Sequence, residues 1–464
     1  MDNRLFFANL SAGRYNSRMS TRFVNVDRDT PMLLPPDLRD WVAEDDMVHF
    51  VIEAVNGMRL TEFRINARGS GSAQYPPKMM LALLAYCYAN GIFSSRKIER
   101  ATYRDVAVRF IAGNHHPDHD TIARFRRQNL DVVREAFKQV LHLAKKLDLL
   151  KLGTISIDGT HIAANAAKDR NVRYDRAGEL EAKLSKDIEE LLNKAEQADE
   201  NNEDDQALPD QINRREKLLA KMRQARAELE QQAKERAEAK QAEYQQKMAE
   251  YQSRGAGGHV PPAPVQTPQD KDQVNLTDSD SKLMRKTHRS PCTQAYNAVA
   301  AVDVNSMLIL SQHVTQCASD VNELIPAYRN IDPQLGKVQA VLADSGFAKI
   351  ETIETLETEV ELLIAVCRED HQRKYDYRPT CVTDKPSRAV THPTLVKMKE
   401  KLQTDEGRRR YGLRKQTIEP VFGIIKSVMG FRQFLLRGLK KVTGEWTLVA
   451  LAYNLKRLAS LKAG

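Results

Sequence analysis

The hydrophobic positions of this chain recur first with a helical period and then with a strand-like one, and a long helical stretch interrupts the second region. Residues 38–55, 77–89, 94–102, 105–112, 119–129 and 132–147 each read as helix. In the fifth, DHDTIARFRRQN, Asp118 is placed to cap the helix and Ile122 and Phe125 to face inward. Arg124, Arg126 and Arg127 are then left to face a nucleic-acid backbone or groove. Two readings stand for the three short helices at 94–129: a DNA-reading helix-turn-helix, or amphipathic helices with a solvated basic face.

From residue 149 the texture changes to short apolar runs, beginning with LLKLGTISIDGT. Residues 177–198 and 212–251 break in, with apolar positions at Leu180, Leu184, Ile188, Leu191 and Ala195, then Leu218, Leu219, Met222, Ala225 and Leu229. This pattern predicts a two-helix hairpin inserted over 177–254, turning in an acidic stretch near 199–210. The Gly- and Pro-rich segment 255–270 predicts a flexible linker. Strand texture then resumes: AYNAVAAVD and MLILSQHV form a hairpin about Asn305 and Ser306, followed by a helix at 320–331, a strand ending at Asp344, a helix at 348–357 and a strand ending at Val366. Excising the insertion leaves three antiparallel strands followed by alternating helices and parallel strands. That is the order of an RNase H-like α/β core with a mixed sheet, so we expect an all-α domain over 1–147 and an RNase H-like domain over 148–464.

Composition adds less. The 464 residues exceed one ordinary domain, and 71 Lys and Arg against 62 Asp and Glu favour an anionic partner without identifying it. The cysteines, Cys87, Cys292, Cys317, Cys367 and Cys381, are scattered and contain no CxxC pair, so neither a disulfide framework nor a zinc site is expected, and a reducing cytoplasm is the natural setting. No basic-then-apolar leader opens the sequence and no apolar run approaches the ~18 residues of a membrane span, so neither export nor a membrane partner is expected.

The chemistry resides in acids. Asp158 closes the apolar run 154–157 and precedes Gly159, which predicts a sharp turn where the carboxylate emerges; Asp344 likewise precedes Ser345 and Gly346. Singly, each is a common turn or cap signal. Glu419 stands at the predicted head of an amphipathic helix in YGLRKQTIEPVFGIIK, where a capping role would explain it. Capping does not explain Lys426, which returns to the same face seven residues on, nor the nearby Arg408, Arg409, Arg410, Arg414 and Lys415. Three converging carboxylates require cations, and hard oxygen donors select Mg²⁺ or Mn²⁺. Two such ions on Asp158, Asp344 and Glu419, with Asp158 bridging, would serve in-line displacement at phosphorus, and Arg414 and Lys426 would hold phosphate.

These segments resemble the DDE transposases of bacterial insertion sequences, most closely the IS eleven-eighty-two group. The resemblance spans nearly the whole chain and rests on PDHDTIARFR, IDGTHIAANA, AYNAVAAVD with Asp320 downstream, LADSGF and IEPVFGIIK. It implies that Asp158, Asp344 and Glu419 are the catalytic triad. It also implies a pattern of Tyr, two residues, Arg, three residues, Glu, six residues, Lys, matched here by Tyr411, Arg414, Glu419 and Lys426 with one departure. Four residues separate Arg414 from Glu419, and Lys415 occupies the position with three. Either Lys415 replaces the arginine or the register shifts.

The implied activity is binding of the terminal inverted repeats in double-stranded DNA, hydrolysis at the ends, and joining of the 3′-hydroxyl to target DNA. The implied setting is a homodimer or higher oligomer on DNA, at the nucleoid of a bacterial cytoplasm. Two other readings stay open: a structure-specific nuclease of RNase H-like fold, and a non-catalytic DNA-binding regulator derived from a transposase. Other residues invite attention. His115, His116 and His119 with Asp118 and Asp120 read as a polar turn before a helix in preference to a metal site. His161 and Asn165 lie close behind Asp158, and Glu361, Glu369, Glu406 and Glu445 compete for the third carboxylate, the last at the start of an apolar helix over 446–461.

Overall fold

In the computed structural model, which describes residues 37–60, 62–64, 74–200, 208–253, 260–285, 290–366 and 390–463, eight strands form one large sheet and one small ribbon. They are β1 (Thr154–Ala163), β2 (Asn171–Arg173), β3 (Gln273–Asn275), β4 (Lys282–Met284), β5 (Thr293–Asp303), β6 (Ile309–Thr315), β7 (Ala340–Ala343) and β8 (Glu361–Ile364). The large sheet runs β4-β5-β1-β7-β8, with β6 also on β5. β5 runs antiparallel to both of its neighbours β1 and β6, and β7 and β8 continue from β1 in parallel. β5 is buried along nearly its whole length, which suits its run of alanines and valines. The hairpin to β6 forms as expected, with the Asp303 carboxylate accepting from the Ser306 N–H at 2.7 Å.

One expectation is corrected in β1. The strand does not end at Asp158: it continues through Gly159 to Ala163, each residue opposite one of β5, from Asp158 facing Ala300 to Ala163 facing Ala295. Gly159 makes no turn; the space beside it has another use, described below.

Six helices precede the sheet: α1 (Met47–Gly57), α2 (Pro77–Ala89), α3 (Ser95–Arg104), α4 (Val106–Ile111), α5 (His119–Gln128) and α6 (Leu130–Lys146). Aspartates at positions 46, 105 and 118 cap α1, α4 and α5 by accepting backbone N–H groups at 2.8–2.9 Å. The segment 38–55 is therefore not one helix: Leu38–Trp41 is a short 3₁₀ turn and the helix starts after Asp46.

The insertion is a helical hairpin, α7 (Tyr174–Glu200) and α8 (Leu208–Ser253). Its own small clusters bury Leu184 and Met222, and Ala225 and Leu229, while Leu218 stays exposed. The base is closed by the β2–β3 ribbon and by the Tyr174 N–H donating to the Asp272 carbonyl at 2.9 Å. Residues 260–269 of the predicted linker have no regular structure, and residues 261–265 among them line a cavity of about 430 Å³ against Arg236, Lys240 and Tyr244 of α8.

Between and after the parallel strands come α9 (Leu324–Arg329), α10 (Ile350–Leu356), α11 (Pro393–Gln403), α12 (Asp405–Gly423) and α13 (Leu439–Ala463), with a π-helical turn, Ile424–Val428, after α12. α13 is buried on every side through its middle, residues 444–455, where it encloses Trp446, Leu448, Val449, Leu451 and Leu455. It packs against β6 and against α2 and α6. The hydrophobic core therefore runs on across residue 147 without a break, and the described residues from Val42 onward belong to one compact unit.

Candidate active site

Adjacent parallel strands set the first two acids side by side. Asp158 projects from the middle of β1, and Asp344 follows the last residue of its neighbour β7, where its carboxylate accepts the Gly346 N–H at 2.8 Å and starts a 3₁₀ turn. The third acid comes from α12, which packs across β5, β1, β7 and β8. Here a second expectation is corrected. Glu419 is not at a helix head but near the end of α12, whose cap is Thr404, accepting from the Gly407 N–H at 3.0 Å. Glu419 is thus free of any capping duty.

Between the acids lies Arg414. Its Nη2 is 3.6 Å from Asp158 Oδ2 and 3.7 Å from Asp344 Oδ2, and its Nη1 donates to Glu419 Oε1 at 3.3 Å. The side chain is 10 % exposed. Five residues along a helix turn Arg414 and Glu419 about 140° apart, and only the length of the arginine side chain lets the pair meet. Lys415, the next residue, is exposed. Lys426, on the π-helical turn, donates to Thr160 Oγ1 at 2.5 Å and to the His161 carbonyl at 2.9 Å, which fastens that turn to β1 just past Asp158.

A fourth carboxylate completes the surroundings. Asp320 accepts from Asn297 Nδ2 at 2.6 Å, and a Cβ on Gly159 would lie 2.2 Å from its Oδ1. The glycine after Asp158 therefore makes room for Asp320 to approach β1. Burial pushes the Asp158 carboxyl up to about 7; Arg414 opposes the rise, and Asp344 and Asp320 add to it. Burial also raises Asp320, against the Asn297 hydrogen bond and with Asp344. For Arg414 burial favours the neutral form, but Asp158, Tyr411, Asp344 and Glu419 outweigh it and raise its pKa. Asp320 carries no strand-end or spacing signal; beyond its place in the family resemblance, the sequence clue to its position is Gly159, whose bare Cα leaves room for a close neighbour.

The competing acids are engaged elsewhere. Glu361 in β8 pairs with Lys401 at 3.0 Å and Arg410 at 2.8 Å, and Glu406 lies 4.0 Å from Arg410. Glu445 is buried in α13, and Glu369 lies outside the described residues. His161 contacts the Ala318 carbonyl at 3.3 Å, and Asn165 donates to the Leu435 carbonyl at 2.9 Å.

On α5, Arg124 and Arg127 are exposed, whereas Arg126 is buried and donates to Tyr88 Oη at 2.8 Å and the Phe93 carbonyl at 3.0 Å. Arg126 is therefore corrected from a DNA-facing position to an interior one: its place on the helix puts it with Ile122, which is fully buried. The histidine cluster is a polar turn: Asp118 caps, His119 pairs with Glu99 at 2.9 Å, and His116 stacks on Tyr103.

Two family models match the chain: "Transposase DDE domain" over 265–455 and "Transposase domain (DUF772)" over 36–128. These matches support an insertion-sequence transposase. The first covers Asp320, Asp344, Arg414, Glu419 and Lys426, and the second covers α1 to α5 with Arg124 and Arg127. A DDE domain implies an enzyme of the transposase or nuclease type. No curated protein and no solved structure gives a significant match to the chain.

DDE transposases typically use divalent metal ions. Among the described residues no group of three or more His, Cys, Asp or Glu is drawn together as a metal site. The three acids instead surround one guanidinium, within 3.3–3.7 Å of its nitrogens. As donors they fit Mg²⁺ or Mn²⁺, being hard carboxylate oxygens that face one buried cation. No helix among the described residues is long and apolar enough to cross a membrane.

Proposed function

We propose that the chain is a DNA transposase that binds the terminal inverted repeats of its element, cleaves the ends and joins the 3′-hydroxyl to target DNA. The observation that carries this reading is the convergence of Asp158, Asp344 and Glu419, from two parallel strands and a crossing helix, on one cationic group. The order of three antiparallel strands followed by two parallel ones supports an RNase H-like core beneath them. In this reading the three acids are the catalytic residues and the ligands of two Mg²⁺ or Mn²⁺ ions. Bound there, divalent ions would supply charge stabilisation at the attacking and leaving oxygens.

The protein's own part is positional. β1 and β7 hold two acids on a rigid sheet, and Lys426 ties the end of α12 to β1. Arg124 and Arg127, exposed on α5, are the proposed backbone contacts of an amino-terminal DNA-binding region, and Lys415 extends the basic surface beside the acids. Cleavage at two ends makes a dimer or higher oligomer on DNA the expected assembly.

The test is Mg²⁺-dependent end cleavage and strand transfer by the purified protein. Asp158→Asn, Asp344→Asn and Glu419→Gln should each abolish both products while DNA binding survives. Full activity in Asp344→Asn would sink the assignment, and cleavage without joined products would point to a nuclease.

A further inference from the structure

The position of Arg414 has a consequence for how the site is loaded. Three carboxylates around a buried point repel one another unless a cation lies among them, and an arginine spreads five donors over a planar fork that can face three acids at once, where a lysine offers a compact point charge. Arg414 does this in the chain alone, from a side chain 10 % exposed. Its contacts, at 3.3, 3.6 and 3.7 Å, are single-point and long compared with a bidentate pair, and its buried Nε has no hydrogen-bond partner among the described residues. The guanidinium is therefore held by charge more than by fitted hydrogen bonds, and it reaches the acids along a flexible side chain. Metal ions on the same oxygens would have to displace it.

We infer that Arg414 is the resident counter-cation of the acid centre, and that it trades places with divalent metal when a DNA phosphate draws it outward. The inference rests on the proposed role of the three acids as metal ligands. It makes DNA binding and metal binding mutually reinforcing: phosphate removes the competitor for the acids, and metal releases the arginine for phosphate. Such coupling is reciprocal, and linkage of this kind is typically about 5- to 150-fold. A chain without DNA would hold metal weakly and so would not assemble a hydrolytic centre away from its substrate. The inference also distinguishes Arg414 from its neighbour, because the Arg414 side chain is 10 % exposed and lies among the acids, whereas Lys415 is exposed.

The experiment is Mn²⁺ binding to the full chain, followed by the electron spin resonance signal of free Mn²⁺, with and without a mixed-sequence DNA duplex at low salt. Without DNA, Arg414→Gln should bind Mn²⁺ about 5- to 150-fold more tightly than the unaltered protein, while Lys415→Gln should not. The duplex should tighten Mn²⁺ binding by the unaltered protein and leave Arg414→Gln unmoved. Equal or weaker Mn²⁺ binding by Arg414→Gln, or the same duplex effect in both proteins, overturns the exchange. If Arg414→Gln is poorly folded in EDTA, the inference requires Mn²⁺ to restore its melting transition, and Arg414→Lys to fall between the two proteins. Failure of either overturns it. Asp158→Asn in the Arg414→Gln background separates the two claims: if Mn²⁺ binding is unchanged there, the reading of the acids as metal ligands fails.

Discussion

Nη1 of Arg126 lies 3.9 Å from Oε1 of Glu445, and both side chains are buried between α5 and α13. Glu445 also accepts from Tyr88 Oη at 3.0 Å and from the N–H groups of Leu435 and Leu436 at 2.9 Å, so it joins the amino-terminal helices to the loop before the last helix. Removing one partner of a buried pair strands the other's charge. We expect Arg126→Met to lower the free energy of unfolding by about 3–5 kcal/mol in urea titrations. Arg124→Ala and Arg127→Ala, on the exposed face, should stay within about 0.5 kcal/mol of the parent and instead weaken duplex binding. Equal stability in all three variants would contradict the placement of Arg126.

Gly159 is tied to Asp320 by what it lacks. A Cβ there would sit 2.2 Å from Asp320 Oδ1 and 2.8 Å from Asn297 Oδ1, with no unusual backbone angle to add strain. Gly159→Ala should therefore cost about 1–3 kcal/mol by crowding, read from the urea midpoint. In the double variant with Asp320→Gly the cost should largely vanish, giving a coupling energy of about 0.5–3 kcal/mol in a double-mutant cycle. Additive losses would show that the two positions do not touch.

The legible parts of this chain are those written in local pattern. The strand-end acid Asp344, the helical insertion and the hairpin at Asn305 and Ser306 follow from periodicity and turn chemistry, and the structure has each of them. What escaped depends on distant packing. Arg126 reads as one of three equivalent arginines, and its buried partners come from distant parts of the chain: Tyr88 on α2, 38 residues before it (126 minus 88), and Glu445 on α13, 319 residues after it (445 minus 126). Gly159 reads as a turn residue because Asp–Gly commonly is one; its role is set by Asp320, which sequence does not place nearby. Glu419 reads as a cap because the helix start, at Asp405 behind Thr404, is hidden by a polar first turn.

The helical hairpin should be separable from the rest. Its buried residues belong to small clusters of their own, and Tyr174 and Asp272 stand one hydrogen bond apart at its base. Replacing residues 176–270 with a short Gly/Ser loop that leaves β2 and β3 in place should shift the melting temperature by only a few degrees, because the main core loses none of its buried side chains. Collapse of the cooperative transition in thermal denaturation would show that the insertion holds the sheet together.

The acid centre also predicts a pH dependence of stability in metal-free protein. Asp158 is raised from 3.8 to about 7, mainly by burial. The folded chain therefore retains this proton between about pH 4 and pH 7 while the unfolded chain has released it. Stability from this group is fully present below the unfolded value, falls as pH rises, and levels off above about 7. The whole change corresponds to roughly 4 kcal/mol for a side chain this secluded. Other carboxylates, such as Glu361 held down by Arg410 and Lys401 against its burial, slope the opposite way. The quantity to measure is therefore the difference in unfolding free energy between the unaltered protein and Asp158→Asn, in EDTA, across that window. This difference should move by a few kcal/mol against the unaltered protein as pH rises from 4 to 7. A flat difference would mean that Arg414 already holds Asp158 ionised at pH 4, in which case the three acids share their counter-cation more tightly than contacts of 3.3–3.7 Å imply.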